Sequence, residues 1–373
     1  MSRPIKVMVV DDTITYRMIM KKVAETIPGV EVIDAASNGQ VALDKLSRVV
    51  VDVVLLDVEM PVKDGLATLK EITARFPQVT VVMVSGTSRS NANIVMECLN
   101  AGALDFVTKP LESNISRAHD ALRLDLEPIL TVIGQKKSRE AEVPPTPPAV
   151  AKPAAAPAVR VTASPTPTPA PVRAAAAPVD TGNRPQLLLI GSSTGGPAAL
   201  SRVLTDLGRR LSIPALIVQH MPPVFTASLA AQLAKASGLT VSEARVGQPL
   251  VAGEVLLAPG GQHMALGNED GKLVITLNDG PKVNECRPAV DVLFMSAAVH
   301  FNGPSLCVIL TGMGRDGALG VQTMKRNRKS YCITQDKDSC VVYGMPRSVN
   351  ELGLADETLP LDRIGHRIAE LCS

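Results

Sequence analysis

Between residues 135 and 184 the chain runs through VPPTPPAVAKPAAAPAV and ASPTPTPAPVRAAAAPV, with no large apolar residues recurring at a helical or strand period. Proline fixes φ and removes an amide donor, so such a stretch cannot build a sheet or bury a core. It reads as a flexible linker, extended in part as polyproline II, with a Pro-rich docking motif as the alternative. It splits the 373 residues into two blocks, 1–134 and 185–373. Each is of ordinary domain length, and at 46% apolar residues the chain can supply two separate cores.

Charge and composition exclude several classes. The formal net charge is only +2 and Trp is absent, which is unlike a basic nucleic-acid surface with stacking aromatics. The six cysteines, at 98, 286, 307, 332, 340 and 372, form no C-x-x-C pair and no zinc spacing. They read as buried, reduced thiols of a cytosolic protein. The apolar run Ile5 to Val10 stops at Asp11-Asp12, too short for a signal peptide. No stretch approaches the ~20 apolar residues of a membrane span, so a cytoplasmic protein without membrane insertion is expected.

In the first block the apolar runs 5–10, 30–36, 51–57, 79–85 and 104–108 alternate with amphipathic segments such as 65–76 and 91–101. Five Val- and Ile-rich β-α repeats predict a doubly wound α/β sheet, with its ligand site at the carboxyl ends of the strands. Asp11 and Asp12 end the first run, Asp57 the third, Ser85 the fourth, and Lys109 follows the fifth. Close carboxylates repel one another unless a cation joins them, and an all-oxygen set suits Mg²⁺. Carboxylate, divalent metal, ammonium and hydroxyl are what phosphoryl transfer to an Asp requires.

The motifs VMVVDDT, LLDVEMPVKDG, VVMVSG and FVTKP resemble the receiver domain of bacterial two-component response regulators, a flavodoxin-like (βα)5 fold. The resemblance implies Asp57 as phospho-acceptor and Mg²⁺ held by Asp11, Asp12, Asp57 and the backbone carbonyl of Glu59. It implies Ser85 and Lys109 on the phosphoryl group, Phe106 as the aromatic switch, and a histidine kinase as phosphodonor.

In the second block QLLLIG, PALIVQH, SLCVILTG and YCITQD read as strands; GGPAALSRVLTDL, RPAVDVLFMSAAVHF and PLDRIGHRIAELC read as helices. Short runs separated by Gly between 241 and 278 predict a hairpin-rich insertion in a second doubly wound, mostly parallel α/β domain. Gly191 to Gly195 matches G-x-S-x-G between a strand and a helix, the context of a nucleophile elbow that exposes Ser193. A Gly-rich phosphate turn is the rival reading of that pattern, without the Gly-Lys-Ser/Thr of a P-loop.

Of the five histidines, 119 lies in the first block, 300 ends a helical pattern and 366 sits in a polar stretch of the last helix. His220 ends the next strand, on the same sheet edge as Ser193, and is the best base. His263, in APGGQHMAL, is second and reads as substrate-side. Asp316, in a Gly-rich loop after another strand, supplies the orienting carboxylate. The order Ser, His, Asp differs from that of α/β-hydrolases, but triads are defined by geometry.

GSSTGGP, QHMPP, APGGQHM, RPAVDVLF, LTGMGRDG and SCVVYGMP are similar to the catalytic domain of the chemotaxis protein-glutamate methylesterases, the CheB family. The resemblance implies a Ser193–His220–Asp316 triad without a cofactor, and oxyanion donors at the Thr194 N–H and the Met313 backbone. It further implies methyl-accepting chemotaxis receptors as substrate, deamidation of glutamine as a second activity, and a monomer whose receiver covers the triad. Arg326-Asn327-Arg328-Lys329 and Lys337 depart from the family pattern in a surface loop. A DNA-binding response regulator and an inactive scaffold are the competing readings. Near-neutral charge and the absence of a recognisable helix-turn-helix after the linker disfavour the first; the complete Ser/His/Asp set disfavours the second.

Overall fold

The computed structural model describes residues 3–110, 115–142, 184–326 and 330–372. Residues 143–183, which hold most of the expected linker, and 327–329 of the basic loop lie outside the described residues.

The first block alternates β1 (Ile5–Val10), α1 (Ile14–Glu25), β2 (Val30–Ala36), α2 (Gly39–Leu46), β3 (Val53–Asp57), α3 (Gly65–Arg75), β4 (Thr80–Ser85), α4 (Arg89–Asn100), β5 (Asp105–Thr108) and α5 (Ile115–Glu142). Three helices begin where a short polar side chain takes an orphan amide: Asn38, Asp64 and Ser88 accept from Val41, Ala67 and Asn91 N–H. The sheet is wholly parallel, in the order β2-β1-β3-β4-β5. The order reverses between β1 and β3, so the crevice of this fold lies at the ends of those two strands. The helix α5 runs to Glu142, past residue 135 where the linker was expected to begin. The segment QKKSREAE is built of good helix formers, and nothing stops it before Pro144.

The second block contains β6 (Leu187–Ser192), α6 (Gly196–Leu207), β7 (Ala215–Gln219), α7 (Phe225–Ser237), β8 (Thr240–Glu243), β9 (Glu254–Leu257), β10 (His263–Glu269), β11 (Lys272–Asn278), α8 (Val290–His300), β12 (Ser305–Ile309), α9 (Ala318–Arg326), β13 (Ser330–Gln335), α10 (Met345–Glu351), β14 (Glu357–Leu359) and α11 (Leu361–Cys372). Seven strands form a parallel sheet, β14-β13-β12-β6-β7-β9-β8. The expected hairpin-rich insertion is only partly one. β10 and β11 pair antiparallel, but β8 and β9 join the main sheet in parallel. β8 alternates exposed and buried residues because it is an edge strand, and Gly247 and Gly253 in its connection to β9 imitate hairpin punctuation.

One face of this sheet packs Leu187, Leu189 and Cys307 against Phe294 of α8; the other packs Leu188 and Ile190 against α6, α7 and α11. The second cluster is continuous with the first block. Helix α4 lies on α7, Gln232 Nε2 donates to Asn100 Oδ1 at 2.6 Å, and the rings of Phe106 and Phe225 stack at 4.5 Å. No helix among the described residues is long and apolar enough to cross a membrane.

Candidate active site and acidic pocket

At the switch point of the first sheet, Leu56 pairs with Val10, which puts Asp57 beside Asp11. Asp11 and Asp57 are buried, Asp12 is exposed, and one carboxylate oxygen of each lies within 4.8 Å of the others. Lys109 Nζ reaches both buried carboxylates, at 2.7 Å from Asp11 Oδ2 and 2.8 Å from Asp57 Oδ2. Burial pushes the Asp57 carboxyl up to about 6 against the pull of Lys109, with the Asp11 charge adding to the rise. Burial draws the Lys109 ammonium down, but the two carboxylates more than reverse this and its pKa is raised. Three carboxylates drawn together at one strand edge, two of them buried, form an all-oxygen cluster that suits a hard divalent cation.

Other expected members of this pocket are less converged. Ser85 is buried with Oγ turned to the Gly86 carbonyl at 3.0 Å. Glu59 lies in the loop after β3, where its side chain accepts from Asn91 Nδ2 at 3.3 Å. A cavity of about 560 Å³ opens beside Asp12, Glu59 and Met60.

In the second sheet the order reverses at β6, between β12 and β7. This explains why three distant segments meet. Ser193 follows β6, His220 follows β7 and Asp316 lies beyond β12. Ser192 pairs with Gln219, so Ser193 and His220 leave their strands in register. The elbow turns through Gly195 at φ +74°, where a Cβ would lie 2.6 Å from Val341 Cγ2. Ser192 is fully buried and donates to Gln219 Oε1 at 2.6 Å, which leaves half-buried Ser193 as the hydroxyl that faces outward. Gln219 Nε2 donates in turn to the carbonyls of Ser193 and His220.

His220 Nε2 lies 2.7 Å from Asp316 Oδ2. Burial pulls the imidazolium down, but Asp316 and then Cys286 raise it, to about 9. Burial alone would raise Asp316; the His220 contact and the Val290 and Asp291 N–H groups hold it below the ordinary carboxylate range. Among the described residues no hydrogen bond joins Ser193 Oγ to His220. The second ring nitrogen, Nδ1, faces Cys286 Sγ at 3.4 Å.

Around Ser193, no backbone acceptor takes the N–H of Thr194 or Met313 among the described residues. The loop carrying Met313 closes on Ser193, since a Cβ on Gly312 would lie 2.7 Å from Ser193 Cβ. His263 is not open to a substrate as it stands. It is 2% exposed, with Nε2 on the Pro281 carbonyl at 3.0 Å.

Residues 188–368 match the family model described as CheB methylesterase, and residues 7–121 match the response regulator receiver domain. The protein-glutamate methylesterase/protein-glutamine glutaminase of group 2 operon of Rhodopseudomonas palustris is 39% identical over 374 residues, 99% of this chain and 94% of that protein. This chain belongs to the CheB methylesterase family. A family member from Symbiobacterium thermophilum is 41% identical over 371 residues, 98% of this chain and 96% of its own. The crystal structure of the Thermotoga maritima CheB methylesterase catalytic domain is 43% identical, covering 50% of this chain and 98% of that one, with a TM-score of 0.48.

Within this methylesterase site, sequence reasoning missed the residues that fix Asp316. Asn284, at φ +51°, donates its amide to Asp316 Oδ1 at 2.9 Å and to Asp291 Oδ2 at 2.8 Å. Asp291, in the first turn of α8, accepts from Gly317 and Gly320 N–H and so shapes the loop that presents Asp316. A carboxylate in a helix's first turn was the only signal for Asp291. Nothing marked Asn284 or Cys286. The receiver also reaches this region. Val132 and Gln135 of α5 form one wall of a cleft of about 880 Å³ whose other wall includes Met313 and Tyr343.

Proposed function

We propose that the chain hydrolyses glutamate γ-methyl esters on methyl-accepting chemotaxis receptors, and deamidates glutamines there, under control of phosphorylation at Asp57. The observation that carries this is the 2.7 Å His220–Asp316 pair on the sheet edge beside the Ser193 elbow. Asp316 accepts from Nε2 and leaves Nδ1 to act as base. Ser193 Oγ attacks the ester carbonyl and its proton passes to Nδ1. The Thr194 and Met313 N–H groups, neither taken by a backbone acceptor among the described residues, would receive the developing oxyanion. His220 then protonates departing methanol, or ammonia from a glutamine, and next deprotonates the water that releases Ser193.

In the receiver, Asp11, Asp12 and Asp57, with the Glu59 carbonyl, would hold Mg²⁺. When bound, the cation offsets the charge of the phosphoryl oxygens. Asp57 attacks phosphorus, and Lys109 pairs with an equatorial oxygen. A histidine kinase supplies the phosphoryl group, and the chain acts as a cytoplasmic monomer.

The test is methanol release from methylated receptor membranes. Ser193→Ala abolishes it while far-UV circular dichroism stays unchanged. Release within tenfold of the wild-type rate would assign the chemistry to another nucleophile.

A further inference from the structure

Asp316 engages Nε2 of His220, so Ser193 has a single nitrogen to which its proton can pass. That nitrogen, Nδ1, is the one facing Cys286 Sγ at 3.4 Å, within hydrogen-bond range for sulfur. Ser193 Oγ makes no hydrogen bond to the ring among the described residues. The nitrogen that the serine needs is therefore the one the thiol already engages. We propose that Cys286 is a positioning residue of the catalytic centre, which competes with Ser193 for Nδ1 of His220 and holds the base away from the serine until substrate enters. This inference rests on the esterase reading above.

The placement of the thiol follows from the backbone. Asn284 and Glu285 adopt left-handed φ, +51° and +62°, and Val283 and Cys286 close a tight antiparallel bridge. Asn284 anchors that turn to Asp316 through its amide. The same turn that steadies the triad carboxylate therefore delivers the thiol to the other side of the ring. Cys286 is half-buried and so open to a small reagent. The other five cysteines do not touch His220, and burial pushes all of their thiols up.

Thiol and imidazole can share a proton in two ways: S–H donates to Nδ1, or the imidazolium donates to sulfur. In either arrangement Nδ1 is unavailable to Ser193. The titratable groups in contact with His220 are Asp316, from the loop after β12, and Cys286, from the turn before α8; Asp291 stands behind Asp316. Both contacts favour the imidazolium. Removing the sulfur leaves only one of them.

The test uses the full chain and two readouts. Iodoacetamide forms an S–C bond with Cys286 and expels iodide, while the thiol proton passes to His220 and then to solvent. Peptide mapping should show Cys286 alkylated at least tenfold faster in the wild type than in His220→Ala. Cys340, pushed up to about 12 by burial, is the internal reference. In Cys286→Ala, kcat/KM for methanol release at pH 7 should rise several-fold. Its acid limb should move to lower pH, and a limb lower by one pH unit raises the rate on its acid side about tenfold. Equal alkylation of Cys286 with and without His220 overturns the proposal, whatever the alanine variant does. So does an unmoved acid limb in Cys286→Ala. If instead Ser193→Ala keeps its methanol release, the esterase reading has failed, and the alkylation comparison still judges the thiol.

Discussion

The chemistry of the site turns on one ring. In the proposed mechanism His220 must be neutral to take the proton of Ser193; burial pulls its pKa down, but Asp316 and Cys286 raise it to about 9. The sign of the pH dependence follows. Below that value most of the imidazole is already protonated, so kcat/KM should climb with pH and level off above about 9. A profile that levels off near pH 6.5 would show that the Asp316 contact does not govern the base. Asp316→Asn removes the charge that favours the imidazolium and permits the wrong tautomer at Nε2. By analogy with other triads it should lower kcat by about 10⁴ while the fold is retained. Stopped assays with the purified variant, alongside its thermal melt, separate lost chemistry from lost structure.

At the scale of elements, the elbow between β6 and α6 is where the fold makes the site. Gly195 lies in the left-handed region with Val341 against it, so Gly195→Ala incurs both backbone strain and crowding. We expect a loss of about 1–3 kcal/mol, a lower Tm and a larger proportional loss of activity. A melt within 1 °C of wild type, at about 2–4 °C per kcal/mol for a domain of this size, would contradict the strain argument. This elbow was legible in the sequence because its small residues and flanking periodicities are local. The acidic rim was legible for the same reason: each carboxylate stands at the end of an apolar run. The parallel pairing of β8 and β9 was not legible, since pairing partners are set by tertiary contacts and an exposed edge strand alternates just as a hairpin strand does. Nor was the Asn284 turn, whose amide acts across 32 residues of sequence. The linker was expected to begin too early, at 135, because Pro-rich composition was averaged over a stretch whose first residues favour helix.

Over the whole molecule, the receiver and esterase sheets are joined by a continuous core rather than by the linker alone. Phe106, the expected aromatic switch, stacks on Phe225 at 4.5 Å, and α4 packs along α7. Asp105, at the start of β5, is pushed up to about 6 by burial, partly offset by hydrogen bonds from the Phe106 N–H and the hydroxyl of Thr194, next to Ser193. Together with the α5 wall of the cleft at Met313, these contacts support a receiver that restricts the esterase until Asp57 gains about −1.5 to −2 charges on phosphorylation. A tether can hold the receiver at millimolar effective concentration, so even a modest interface suffices. The most direct measurement is the initial rate of methanol release from methylated receptor membranes. It compares the full chain with residues 184–373 at equal concentration, with and without a small phosphodonor and Mg²⁺. The fragment should outrun the unphosphorylated full chain, and donor should accelerate the full chain but neither the fragment nor Asp57→Asn. Equal rates for the two unphosphorylated forms, or donor stimulation that survives in Asp57→Asn, would contradict it.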